Sequence, residues 1–369
     1  MPESDTSIID RLTGTLEALV PSVFGNGFKL SPTSPLRLDR RYSFVFRYWM
    51  VDSEGKLRPL FVKIPHPSEI KTMDEAIRFE RVRTEIKHEF EIMQTIADVV
   101  SKAQRPGLSA IKPGACILEF NAIVMEEIRL TMMKNYLWKW GIVLGKSGDW
   151  AIFERLVNLA GEWLRVIHDE FQHGRFTTLE DLRMESLLSN EFQALEGLLG
   201  YELLDLRKLF YRIYDLNKSA QIPLSSLHHD FHLGNIFITQ QGCVGALDPN
   251  WKESGSIFED LASLLIDPLT RKYQVISLGL LFRSSLSYRF ERAILSGYFG
   301  KQYVLPRLLY FYCAFASLVK WRANEELLKN IKSRPLILAG SIISRYTGFY
   351  FSRLVKTYLC RELEIINQA

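Results

Sequence analysis

Apolar and polar positions divide the chain into a mixed, strand-rich front and a helical back. "SIIDRLTGTLEALV" has helical spacing, and a Gly-, Pro- and Ser-rich connector follows it to Pro35. "YSFVFRYWMV" and "RPLFVKI" are rich in aromatic and β-branched residues and flank the turn "DSEG", a pattern that predicts a β-hairpin. From about Asp74 to Val100 the pattern predicts one long charged helix, with Ile86, Phe90, Met93 and Ala97 along one face. "ACILEF" and "NAIVMEEI" predict two more strands joined by a tight turn. Beyond about Leu130 helical periodicity takes over. Leu156, Leu159, Ala160, Trp163 and Ile167 mark one amphipathic helix. The exception is "GNIFITQQGCVGALD", a second hairpin set among the helices.

At 369 residues the chain can form two lobes, each with its own core. Its apolar (47%) and charged (24%) fractions are those of a soluble globular protein. A net charge of +4 is too small to imply binding to nucleic acid. Cys116, Cys243, Cys313 and Cys360 are widely spaced and without a C-x-x-C pair, so they read as reduced thiols of a cytoplasmic protein. "MPESDTSIID" lacks the basic start and apolar stretch of a signal peptide. No apolar run reaches the ~18 residues of a spanning helix. The longest, "LLYFYCAFASLV", predicts a buried core helix.

One stretch concentrates chemistry. "LHHDFHLGNIFI" sets His228, His229 and His232 around Asp230, with Asn235 five residues after the aspartate. Zinc sites take ligands from one helix face or from paired knuckles plus a distant fourth ligand, and no cysteine or histidine cluster elsewhere in the sequence completes such a shell around "HHDFH". The spacing D-x-x-x-x-N is that of a kinase catalytic loop, and Asp248 follows the strand "VGAL" just downstream. Phosphoryl transfer needs a carboxylate to orient or accept the proton of a hydroxyl. It also needs hard oxygens for Mg²⁺ and a cation on the phosphates. Asp230 can be the carboxylate, while Asn235 and Asp248 supply oxygens that suit Mg²⁺.

"HHDFHLGNIFI…GALDPNW…GSIFEDLA" resembles the core of the aminoglycoside phosphotransferase and choline kinase-like superfamily. The elements in common are His228, Asp230, Asn235, Asp248, Gly255 and Asp260-Leu261-Ala262. The resemblance implies an α+β, bilobal, protein-kinase-like fold, with a small strand-rich nucleotide-binding lobe (1–128) and a larger, mostly helical catalytic and acceptor-binding lobe (129–369). It implies ATP and Mg²⁺ as cofactors, Asp230 as catalytic base, Asn235 and Asp248 as magnesium ligands, and His228 and Asp260 as scaffold of the loop. In "LFVKI", Lys63 stands where the family's phosphate-gripping lysine would be. Its expected partner is Glu89, on the apolar side of the long helix, with Glu85 and Glu91 as alternatives. "IVMEEI" resembles the linker between lobes, where the backbone from Met125 to Ile128 would hydrogen-bond adenine. One departure is the lack of a G-x-G-x-x-G loop. "LDRRYSFVF" takes that place, with Arg40, Arg41 and Ser43 as candidate phosphate contacts or merely a solvated turn.

The expected partners are therefore a nucleotide and a small molecule that offers a hydroxyl. From Leu261 to Ala369 there are 16 Lys/Arg against 6 Asp/Glu, the wrong sign for a polycationic drug. A neutral or anionic sugar or glycan suits it better. The segment "GSIISRYTGFYFSRLVKTYLCRELEI" mixes basic and aromatic residues, so it reads either as a packed terminal helix or as a peripheral membrane contact. Three rival functions stay open: a pseudokinase that binds nucleotide or a partner without turnover, an aminoglycoside or macrolide kinase, and a protein kinase. The last is disfavoured because Asp248-Pro249-Asn250 replaces D-F-G and no A-P-E segment occurs.

Overall fold

The computed structural model describes residues 4–40, 42–127, 129–139, 150–172, 174–282, 284–330 and 334–368. They form two compact units, one of residues 1–105 and 109–130, the other of residues 106–108 and 131–369. The fold is α+β and kinase-like, a strand-rich unit and a helix-rich one.

The smaller unit is built on an antiparallel sheet of six strands. Ser43–Val51 and Leu57–Pro65 pair along their whole lengths, from Ser43 opposite Pro65 to Val51 opposite Leu57. This is the predicted first hairpin. Ala122–Glu126 joins its second strand and Pro113–Ile117 joins Ala122–Glu126, the other predicted pair. Alternation buries Phe44, Phe46, Tyr48, Met50, Leu60, Val62 and Ile64 on one face. The first helix, Asp5–Phe24, joins that cluster through Ile8, Leu12, Leu16 and Val20, spaced four apart. The opposite face carries Lys63.

The long charged helix is interrupted, contrary to the sequence expectation. Met73–Arg78 and Glu80–Ala103 are separate helices, and Phe79 between them is extended (φ −77°, ψ 99°). The cause lies 42 residues on. The buried Asn121 amide donates to the carbonyls of Ala76 (2.9 Å), Ile77 (3.1 Å) and Phe79 (3.3 Å), so a break in the helical ladder leaves no orphan there.

The larger unit is helical, with more strand than expected. The predicted hairpin is present as Ile236–Thr239 against Val244–Ala246. A further three-stranded sheet joins Lys252–Ser256, Ile222–Leu227 and Phe176–Thr177, and Leu130–Met132 is another short strand. The predicted amphipathic helix spans Trp150–Gln172 and buries Leu156, Ala160, Trp163 and Ile167. "LLYFYCAFASLV" lies in the buried helix Leu309–Lys329. The terminal helix, Arg334–Gln368, packs on it through Tyr350, Phe351, Val355, Tyr358 and Leu359, while Tyr346 and Phe349 stay exposed. Among the described residues no helix is long and apolar enough to cross a membrane.

Trp150–Gln172 and Ser284–Phe299 approach so closely that neither can carry a side chain at the crossing. A Cβ on Gly297 would lie 2.0 Å from the Asn158 carbonyl oxygen, and one on Gly161 2.3 Å from that of Ile294. Gly297→Ala gains helix propensity of about 1 kcal/mol but must push backbone from backbone. It is expected to destabilise the protein by about 1–3 kcal/mol, the usual cost of overpacking, visible as a lowered thermal midpoint. An unchanged or raised midpoint would show that the helices separate freely.

Candidate active site

The turn from His228 to Asn235 connects the strands Ile222–Leu227 and Ile236–Thr239, and a buried carboxylate fixes its start. Asp260 Oδ2 accepts the His228 N–H (2.8 Å) and Oδ1 the His229 N–H (2.8 Å). His168 Nε2 lies 3.2 Å from Oδ2. The Tyr298 hydroxyl, which burial holds protonated, lies 2.7 Å from His168 Nδ1, so the imidazole bridges Tyr298 and Asp260. Burial alone would push the Asp260 carboxyl up, but His168 and the His228 amide together hold it below the usual carboxylate range. Asp260 sits in the first turn of Ile257–Thr270, whose capping box (Ser256 with Glu259) and N-terminal dipole further favour an anion. Gly255 precedes that box because a Cβ there would meet Leu227 Cδ1 at 2.5 Å.

Further along the loop, the Asn235 side-chain amide donates to Asp230 Oδ2 (2.7 Å) and to the Asp230 carbonyl (3.1 Å). Its NH₂ is thus engaged, and its side-chain oxygen is left as an acceptor. The Leu247 N–H donates to the Asn235 carbonyl (2.8 Å), which ties the second strand of the hairpin to the loop just before Asp248. Asp248 is in the left-handed region (φ 49°), an aspartate-tolerant conformation that turns the chain out of the strand. One amide oxygen and two carboxylates therefore belong to a single hydrogen-bonded loop and hairpin. That donor set suits a hard cation such as Mg²⁺. Asp230 is half-exposed. Burial would raise its carboxyl, but hydrogen bonds and charge from His232, with the Asn235 bond, hold it below the ordinary value.

The three imidazoles do not converge. The His228 ring is buried edge-on to Trp163 and Phe231. His229 Nδ1 lies 3.2 Å from the Asn250 amide nitrogen. His232 accepts the Gly234 N–H at Nδ1 (2.9 Å) and turns Nε2 toward Asp230 Oδ1 (3.4 Å).

In the smaller unit, Lys63 Nζ donates to Glu89 Oε1 at 2.8 Å. Of the alternatives, Glu85 pairs with Arg81 and Glu91 with Lys87. Met125 lies in the strand Ala122–Glu126, opposite Phe61. Ile128 is outside the described residues, as is Arg41. In place of a glycine-rich loop, the Arg40 N–H donates to the Ser43 carbonyl (2.8 Å) and closes a tight turn at the head of the hairpin. Ser43 itself is buried.

Residues 151–296 match the phosphotransferase enzyme family, a span that holds His168, the whole loop, Asp248 and Asp260. The segment is similar to the enzymes of that family. The resemblance read from the sequence is thereby borne out. No curated protein matches the chain. Among solved structures it is similar to a Ralstonia eutropha JMP134 protein assigned to the aminoglycoside phosphotransferases, with a TM-score of 0.55 at 12% identity, over 94% of this chain and 98% of that one. It is also similar to a glucosamine kinase in complex with glucosamine, ADP and inorganic phosphate, with a TM-score of 0.50 at 12% identity, over 96% and 87% of the two chains. A choline/ethanolamine kinase family protein from Mesorhizobium loti follows, with a TM-score of 0.48 at 16% identity, over 98% and 99%. At these identities the first two structures establish the fold alone.

Several residues around the loop escape a motif reading. His168 and Tyr298 hold Asp260, and Asp267 accepts the Leu233 N–H (3.2 Å). His168 had one visible signal: it follows Leu164 by four, on the buried face of its helix. A polar residue there needs a partner.

Two buried groups give the fold an acid-sensitive stability. Burial lowers the His228 pKa below 6.5, so the unfolded chain takes up that proton first. Its contribution is complete above about pH 6.5 and is lost as pH falls through the folded value. Asp260, also depressed, contributes above its ordinary value near 3.8 and is lost below it. His228→Phe keeps an aromatic ring and removes the first titration. Its thermal midpoint should change less between pH 7 and pH 5 than that of the wild type, where one proton gives a slope of up to about 1.4 kcal/mol per pH unit. Identical pH profiles would remove His228 from this account.

Proposed function

We propose that the protein transfers the γ-phosphoryl group of ATP to a hydroxyl of a small molecule, with Asp230 as catalytic base. The observation that carries this reading is the Asn235 bond to Asp230, made within a loop whose start is held by Asp260. The bond orients the Asp230 carboxylate, which His232 and Asn235 together hold below its ordinary pKa, while half of it remains open to solvent. In the reaction the acceptor hydroxyl loses its proton to Asp230 and its oxygen bonds the γ-phosphorus. The bond from that phosphorus to the bridging oxygen breaks, and ADP leaves. Most of the catalysis is positioning and charge compensation.

Asn235 and Asp248 would hold Mg²⁺, which supplies positive charge to the phosphate oxygens. Lys63, steadied by Glu89, supplies a second cation, and the backbone around Met125 and Ile128 would receive the adenine. The bound ADP of the glucosamine kinase neighbour is consistent with a nucleotide here. The sign of the charge between Leu261 and Ala369 favours a neutral or anionic acceptor over a polycation.

Asp230→Asn should lower kcat by roughly 10²–10⁴-fold, the usual contribution of a general base, while ATP affinity measured by calorimetry stays close to wild type. Hydrogen bonds to charged groups contribute about 1.5–3 kcal/mol. Lys63→Met should therefore weaken ATP binding about ten- to a hundredfold. Normal turnover in the first variant, or normal ATP affinity in the second, would withdraw the corresponding assignment.

A further inference from the structure

The larger unit contains a cavity of about 310 Å³ that reaches His229, the residue before Asp230. Its walls are apolar: Leu182, Met184, Ile266, Phe315 and Val319 line it, and Ala316 forms part of one side. The volume is at the small end of the range for ligand pockets, and the balance of apolar wall to few polar groups is typical of one.

The polar groups of the cavity exclude some occupants. Two carboxylates line it, and both are engaged. Glu259 accepts Lys252 Nζ at 2.7 and 3.0 Å and the Ser256 N–H at 3.1 Å. Asp260 accepts the two loop amides and His168. A polycationic acceptor would find no unengaged carboxylate among these residues. A sugar fares little better: away from His229, Ser263 and Lys320, each hydroxyl buried against these walls without a partner would cost about 1–3 kcal/mol.

Two features ask for a ligand with one polar function at each end. Tyr312 lines the cavity, and its hydroxyl is buried beside Ser256 without a well-formed hydrogen bond. Burial keeps it protonated, so it remains a donor. Lys320, on the exposed side of the same lining, pairs with no carboxylate among the described residues.

We infer that this cavity binds the acceptor, and that the acceptor is an apolar alcohol bearing a single acidic group. The inference rests on the phosphotransferase reading above for the chemistry, and on the cavity alone for the class of ligand. The hydroxyl lies toward His229 and Asp230, the hydrocarbon against Met184, Ile266 and Phe315, and the acid at Lys320. As before, the hydroxyl oxygen bonds the γ-phosphorus, its proton passes to Asp230, and ADP departs.

The test uses 8-hydroxyoctanoate, 1-octanol, glucosamine and kanamycin with the full-length protein, scored by calorimetric binding and by mass of the phosphorylated product. 8-Hydroxyoctanoate should bind and be phosphorylated, 1-octanol should bind at least tenfold more weakly, and the two amino sugars should not react. Ala316→Trp, which fills the cavity, should reduce 8-hydroxyoctanoate binding at least tenfold with a thermal midpoint near wild type. Lys320→Glu should weaken 8-hydroxyoctanoate but not 1-octanol. Phosphorylation of glucosamine or kanamycin alone, or 8-hydroxyoctanoate binding that is absent or survives Ala316→Trp, would overturn the inference and leave phosphoryl transfer standing. Binding that Ala316→Trp abolishes, with no phosphorylated product from any acceptor, would support the cavity and count against the phosphotransferase reading. Equal affinity for 1-octanol and 8-hydroxyoctanoate would overturn the acidic group.

Discussion

The buried Asp260 carboxylate is the point on which the larger unit's chemistry depends. A buried, isolated carboxylate would be far too costly to remain ionised. Here two backbone amides, His168 and the N-terminus of its own helix offset that cost. The same bonds determine the path of the loop. His229 adopts φ 60°, a conformation uncommon for any residue with a side chain, and its N–H is one of the two that Asp260 receives. The strain is thus held by the interaction that stabilises the charge. From that anchored start the chain reaches Asp230, and the Asn235 amide then fixes the carboxylate from the other end of the turn.

Much of this was legible in the sequence, because the pattern from His228 to Ala262 encodes local geometry. A fixed spacing sets the loop, a hairpin sets Asp248, and a capping box sets the helix that carries Asp260. What was not legible depended on distant partners. Nothing near Phe79 announces that Asn121 will satisfy three carbonyls and allow a helix to break there. Phe176–Thr177 is too short to show alternation and exists only because Ile222–Leu227 runs beside it. His168 looked like one polar residue on a helix until Asp260, 92 residues later, was found against it.

The Lys63–Glu89 pair shows how far periodicity alone can reach. Three glutamates on one helix were candidates because an uncertainty of one residue rotates the helix by about 100°. The strand is less ambiguous: its alternation places Lys63 opposite the face that holds Val62 and Ile64. The helix break at Phe79 resets the phase, and the buried positions that follow run through Val82, Ile86, Ile92 and Ile96. Glu89 is left at the margin of that face, half-buried, whereas Glu85 and Glu91 point to solvent. Both partners keep about a quarter of their side chains exposed, so solvent screens the pair. Its value is positional: it sets where the ammonium sits.

Charge in this protein works at two ranges, and the two need not agree. The net charge of +4 acts over about a Debye length, near 8 Å at physiological salt, and is weak. Inside the cavity the ions nearly cancel. Lys252 is matched by Glu259, and Asp260 is answered by amides and an imidazole, so Lys320 alone is left to select by charge. Selection at the site therefore falls to shape and desolvation, since apolar walls reject groups that cannot leave their water. An unmatched ammonium at the rim and a cavity that admits hydrocarbon are compatible only in a ligand that is both, which is why one acidic group on an otherwise apolar alcohol satisfies the two constraints together.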